Sequence, residues 1–194
     1  MRPTHAPFPI RPGLTAALLL LVAVAPARAA TAADVETAEA FIDAFYSFDP
    51  ARLAPLLEEA DETAARILYY QGWAEGGNYA VVERAPCAIG DDARIHCPIT
   101  VEDDPVKALK TGFNVTDTFH LTFENGRIAR VETSSNDQPI YYQARKWVEE
   151  NLPELIAEPC KDRGTAAGTP GDCARAMTEG YRRFAASDDF PGTP

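Results

Sequence analysis

Positive charge is scarce in this sequence: 18 lysines and arginines stand against 29 aspartates and glutamates among 194 residues, a formal charge of −11. Phosphate backbones and anionic lipid surfaces are bound by lysine- and arginine-rich faces, so neither a nucleic-acid nor a membrane partner is expected. Catalytic signatures are missing as well. There is no G-x-S-x-G, no Walker loop, no G-x-G-x-x-G and no H-E-x-x-H, which removes the common hydrolase, nucleotide, dinucleotide and zinc-protease motifs. No C-x-x-C pair offers a zinc or thioredoxin-like site. The acidic clusters Glu58-Glu59-Asp61-Glu62 and Glu102-Asp103-Asp104 lack EF-hand spacing and read as solvated faces. No metal and no cofactor is expected.

Long apolar runs are also few. One stretches from Leu14 to Ala25 behind Arg2 and Arg11, and its continuous part, Ala16 to Ala25, is too short for a stable bilayer crossing. Ala27-Arg28-Ala29 follows, the small-x-small pattern of signal peptidase. Residues 1–29 therefore read as a signal peptide removed near Ala29, giving a secreted or periplasmic protein. Loss of Arg2, Arg11 and Arg28 takes the charge from −11 to −14.

Export gives meaning to the cysteines. Cys87, Cys97, Cys160 and Cys173 allow three pairings in an oxidising compartment, and spacing favours the local ones. A turn at Gly90-Asp91-Asp92 sets Cys87 opposite Cys97 across a hairpin, within a residue of register. Cys160 and Cys173 flank a loop containing Gly164, Gly168, Pro170 and Gly171. The expected bridges are Cys87–Cys97 and Cys160–Cys173.

After the signal, Thr31 with Asp34 starts a helix, and Val35, Ala38, Phe41, Ile42 and Phe45 recur at helical spacing until Asp49-Pro50. A short helix through Leu53 to Leu57 follows. A third, capped by Asp61, carries Ile67, Tyr70 and Trp73 up to Gly76-Gly77-Asn78. From Tyr79 the period changes to alternation, predicting strands over 79–89, 93–102, 113–124 and 127–135. Asn125-Gly126 marks the tightest turn. Pro86 and Pro98, set opposite one another, imply an edge, a bulge or a projecting ribbon. Beyond Pro139 the helical period returns through Trp147 to Pro153, and a last helix after Thr169-Pro170 presents Cys173, Met177, Tyr181 and Phe184 on one stripe.

Three helices followed by a meander centred on Phe119-His120-Leu121-Thr122-Phe123-Glu124-Asn125-Gly126-Arg127-Ile128 resemble the SnoaL-like, or nuclear transport factor 2-like, superfamily. Ala40-Phe41-Ile42-Asp43-Ala44-Phe45, with Asp49-Pro50-Ala51-Arg52-Leu53 after it, is similar to the family's opening helix and turn, and the likeness covers roughly residues 34 to 137. It implies an α+β fold: a strongly curved antiparallel four-stranded meander wrapped around the N-terminal helices, leaving an apolar cavity. The organisation is then a domain over 30–138 and a disulfide-clipped C-terminal helical extension over 139–194.

Such folds host many functions, so the cavity's polar groups must decide. The resemblance implies an Asp or His base with a Tyr or acid donor, since abstracting a proton beside a carbonyl needs both a base and a partner for the enolate oxygen. Asp43, Tyr46, Tyr79, Glu83, His120 and Asp137 are among the polar groups available. Alternation sets Asp117 on the face of Phe119, Leu121 and Phe123, where desolvation raises a carboxyl pKa, and turns His120 away. The catalytic candidates are Asp117, Tyr69 and Tyr70; the expected pocket is lined by Phe41, Phe45, Trp73, Phe119 and Leu121. The leading expectation is an apolar pocket for a small hydrophobic molecule or a protein partner, without catalysis. The alternatives are a cofactor-free isomerase or dehydratase acting on a carbonyl compound, and a structural domain that forms a homodimer through the outer sheet face bearing His120 and Thr122.

Overall fold

The structure is a computed structural model that describes residues 30–192. The expected signal peptide, 1–29, lies outside them. Helix α1 (Ala32–Phe45) begins at a capping box: Thr31 Oγ1 accepts the Asp34 N–H while the Thr31 N–H donates to the Asp34 carboxylate. Its apolar stripe, Ala38, Phe41, Ile42 and Phe45, is buried. The helix stops at Phe45, ahead of the Asp49-Pro50 boundary, and the chain reverses through Phe48 at a positive φ of 56°. Asp49 caps α2 (Pro50–Leu53), which runs into a single 3₁₀ turn, Ala54–Leu57. Ala60 rather than Asp61 precedes α3 (Asp61–Gly76); Asp61 and Glu62 instead sit in its first turn, where their charge complements the helix dipole.

The architecture is α+β with an antiparallel sheet. Strands β1 (Ala80–Arg84), β2 (Ala88–Ile89), β3 (Ile95–Glu102), β4 (Val115–Glu124) and β5 (Arg127–Ser135) take the order β1-β3-β4-β5, with β2 also pairing β3. The single strand expected over 79–89 is thus two. Arg84 faces Ile99 and Ala88 faces His96, a register that slips by one across the gap where Pro86 has no N–H to give. A second irregularity lies between Val81 and Glu83. Both occur on the edge that the proline pair required.

Alternation governs the two central strands. Ile95, Cys97, Ile99 and Val101 of β3, and Val115, Asp117, Phe119 and Leu121 of β4, are buried while their neighbours are not. This inner face meets α1 and α3, with Phe119 touching Phe41, Phe45 and Tyr70 at ring-centroid distances of 5.5, 4.8 and 6.0 Å.

Two short helices were not anticipated, one after β3 and one beginning at Pro153, where the helical run was expected to end. Asp103 caps α4 (Asp104–Ala108), placed between β3 and β4. The C-terminal part comprises α5 (Pro139–Asn151), α6 (Pro153–Ile156) and α7 (Pro170–Phe184). It shares one core with residues 30–138: Cys173, Met177, Tyr181 and Phe184 join the same buried cluster as Phe41 and Phe119. Packing of α7 on α3 is close because both contribute glycine. A Cβ on Gly76 would lie 2.3 Å from Gly171 Cα, and one on Gly72 would lie 2.5 Å from Pro170 Cγ. Both expected disulfides are formed, Cys87–Cys97 and Cys160–Cys173, with Cα separations of 4.3 and 4.5 Å. Such bridges persist in oxidising compartments, which fits an extracellular or periplasmic protein. Among the described residues no helix is long and apolar enough to cross a membrane.

Candidate functional site

Asp117 is the one carboxylate that β4 directs into the core, and it is only 5% exposed. Tyr70 reaches it from the middle of α3, donating its hydroxyl to Asp117 Oδ2 at 2.5 Å. Aromatic packing fixes the Tyr70 ring: it stacks on Phe119, tilts against Phe45 and meets Tyr79 edge-on at 6.4 Å. Burial pushes the Asp117 carboxyl up to about 7; the Tyr70 hydrogen bond pulls against that rise, and the nearby Asp137 and Asp103 charges add to it. Asp103 behaves likewise. Burial lifts it to about 6, while one oxygen caps α4 at the Val106 N–H, 2.8 Å away, and the other is buried without a partner.

Three phenols surround this carboxyl. Burial raises the pKa of Tyr70, of Tyr79 and of Tyr46, the last with help from the Asp117 charge, so all remain protonated donors at neutral pH. The Tyr46 and Tyr69 hydroxyls are buried and have no partner among the described residues. A buried O–H without an acceptor is costly, and for Tyr69, which lines a cavity, a bound molecule is one way to satisfy it.

Asp117 and Tyr70 lie in the wall of a cavity of about 350 Å³. Helix α3 contributes Arg66, Ile67, Tyr69 and Trp73 to the wall, and the sheet contributes Val115, Thr133 and Ser135. Tyr141, Arg145 and Met177 enter from α5 and α7, and Arg163 with Gly164 from the loop inside the second disulfide. The loop packs tightly over the Tyr69 ring, since a Cβ on Gly168 would lie 2.7 Å from it. Asp137 also lines the wall and accepts the hydroxyls of Ser135 and Tyr142 at 2.5 and 3.2 Å.

Comparison of the chain with protein-family models, with curated proteins and with solved structures gave no match. Geometry alone therefore carries the functional argument.

Of the residues expected from sequence, Asp117, Tyr69, Tyr70 and Trp73 come together in the cavity wall, with Tyr79 and Asp137 beside them. Phe41, Phe45, Phe119 and Leu121 do not line it: each is 0% exposed in the packed core, because α1 lies directly on the sheet and fills that space. The wall also differs from the apolar lining expected, as it holds three arginines and two aspartates. Asp43 is on the surface, paired with Arg84, and Glu83 is exposed.

His120 does face away from Asp117, yet it is not free. Asp92, His96, His120 and Ser134 form a chain on the outer sheet face, with contacts of 2.8 Å between Asp92 Oδ1 and His96 Nε2, between the two Nδ1 atoms, and between His120 Nε2 and Ser134 Oγ. No group of three metal-ligating side chains occurs among the described residues. The arginines, Tyr141 and Met177 were not anticipated. One signal pointed to Arg145: it directly follows Ala144 in the buried stripe Tyr141, Ala144 and Val148 of α5, a position where a cation borders the core.

Proposed function

We propose that the cavity binds a small carbonyl compound and that Asp117 moves a proton on it, making the protein a cofactor-free isomerase or dehydratase. The observation that carries this is the Asp117–Tyr70 pair, a carboxyl raised to about 7 by burial and held 2.5 Å from a phenol in the wall of a ligand-sized cavity. A base with a pKa near neutrality is matched to abstracting a proton at physiological pH.

In the isomerase form, on a β,γ-unsaturated carbonyl compound, the Asp117 carboxylate takes the proton from the carbon between the carbonyl and the C=C; the electron pair of that C–H bond forms a double bond to the carbonyl carbon, and the C=O π pair moves onto the oxygen. The Tyr69 hydroxyl, buried and unpartnered, is the donor for that oxygen. Protonated Asp117 then returns the proton to a conjugated carbon, and the carbonyl re-forms with the double bond displaced. No group outside the protein and its substrate is consumed. Tyr70 acts on Asp117, holding the carboxylate in position.

The same proposal places the chain on the SnoaL-like plan, with the sheet curved around the helices. It is supported by the order of three helical segments followed by antiparallel strands, and by a carboxylate at the inner face of β4. It also takes the protein as exported, in keeping with its two disulfides.

The test is deuterium incorporation beside the carbonyl, followed by proton NMR over a panel of small ketones. Asp117→Asn is expected to lower the rate by about 10²- to 10⁴-fold. Equal rates for wild type and variant would overturn the proposal.

A further inference from the structure

The cavity holds a charge that the rest of the protein does not balance. Among the described residues, every lysine and nearly every arginine is exposed, and only Arg94 and Arg145 are withdrawn from solvent. Arg94 is neutralised, at 2.7 Å from Asp92 and 2.8 Å from Glu132. Arg145 is not: no ion pair joins it to any described carboxylate, in a chain whose acidic residues outnumber its basic ones 29 to 18. A guanidinium cannot shed its proton to escape burial, so this position has a standing electrostatic cost unless an anion arrives.

Its surroundings prepare it for one. The guanidinium carbon lies 5.4 Å from the Tyr141 ring centroid and 5.8 Å from that of Tyr142, contacts that use its flat face. The Tyr141 and Tyr181 hydroxyls stand at its edge as neutral acceptors that leave the charge uncompensated, and the remaining N–H groups are available to a planar oxyanion. Arg66 and Arg163 stand in the same wall; Arg66 is held by the Val131 carbonyl at 3.0 Å, and Arg163 faces Glu149 only loosely, at 3.6 Å. Asp137, also in the wall, accepts two hydroxyls on Oδ2 and forms no ion pair with Arg145.

We infer that the compound bound here is a small oxo acid, whose carboxylate is held by Arg145 while its carbonyl end lies toward Asp117 and Tyr69. The oxo part of this inference rests on the proton-transfer proposal above; the acid part rests on Arg145 alone. A volume of about 350 Å³ lies at the low end of ligand sites, which suits an acid of metabolite size.

The experiment is calorimetric titration of the protein with both disulfides formed, using 4-oxopentanoate and its uncharged amide. The acid is expected to bind about tenfold tighter or more, a charge-assisted forked bond being the difference. Arg145→Gln should abolish that preference, and Arg145→Lys, which keeps the charge and loses the fork, should retain part of it. Equal affinity of acid and amide for the wild type overturns the inference without recourse to any variant. So does an unchanged preference in Arg145→Gln, or failure of both compounds to bind at millimolar concentration. Asp117→Asn separates the two ideas: it should bind the acid at least as well as wild type while failing to exchange deuterium. Preferential acid binding by a wild type that exchanges nothing sinks the proton-transfer proposal and leaves the anion site standing.

Discussion

Tyr70 Oη donates to Asp117 Oδ2 at 2.5 Å, tying the middle of α3 to the inner face of β4 across 47 residues of chain. The bond favours the ionised carboxyl, whereas burial favours the neutral one, and burial prevails. Tyr70→Phe removes the opposing influence while keeping the ring that packs on Phe119. The Asp117 midpoint should therefore move above about 7, read by carbon-13 NMR of the carboxyl across a pH series. A midpoint that falls would show that the phenol does not stabilise the carboxylate.

Because its folded pKa lies above the unfolded one, Asp117 binds a proton more tightly in the native state. Stability from this group is complete below the unfolded value near 3.8 and is lost progressively as pH rises toward about 7. Full loss over such an interval would be of order 4 kcal/mol at most. Asp117→Asn should thus melt at a higher temperature than wild type at pH 8 and close to it at pH 4. Calorimetry at the two pH values checks the sign.

The histidine chain runs the other way. Burial, then the neighbouring His96, lowers the His120 pKa, so the native state binds this proton less well than the unfolded chain. Its contribution is present at neutral pH and fades as pH falls through the His120 pKa. His120→Asn should flatten the decline in melting temperature between pH 7 and pH 5. An unaltered decline would assign it to other groups.

Gly76 tests how α7 is seated. Alanine would place a methyl 2.3 Å from Gly171 Cα and 2.5 Å from its carbonyl oxygen, and backbone cannot yield as a side chain can. Overpacking of this kind costs about 1–3 kcal/mol, more than the fraction of a kcal/mol that alanine gains in helix propensity. Chemical denaturation should show Gly76→Ala destabilised. A Gly112→Ala control also introduces a methyl, but into open space at a positive φ of 67°, and so separates crowding from backbone strain.

Much of the framework was legible because its signals are local. Thr31 and Asp34 are three residues apart, Asn125-Gly126 is one turn, and a cross-strand bridge between Cys87 and Cys97 follows from hairpin counting. Alternation alone put Asp117 indoors. Helix α4 escaped notice although Asp103 followed by Pro105 is a start signal, because the surrounding acidic run read as a solvated face. The arginines of the cavity were illegible for another reason. Arg66 and Arg145 lie on helices far apart in sequence, and nothing in either segment reveals that α3 and α5 border one hollow. The misassigned phenylalanines follow from the same gap: Phe41 and Phe45 are apolar in pattern, which cannot distinguish a wall from a filling.

The glycine-to-glycine seat between α3 and α7 also bears on when the molecule can fold. Met177 and Tyr181, far from Ala38 in sequence, close a cluster that begins with it. A segment that stops before α7 lacks that piece, and contacts of such long sequence separation form late. Sealing of the interior thus waits on the docking of α7, and the helices and strands before it finish packing only at that step.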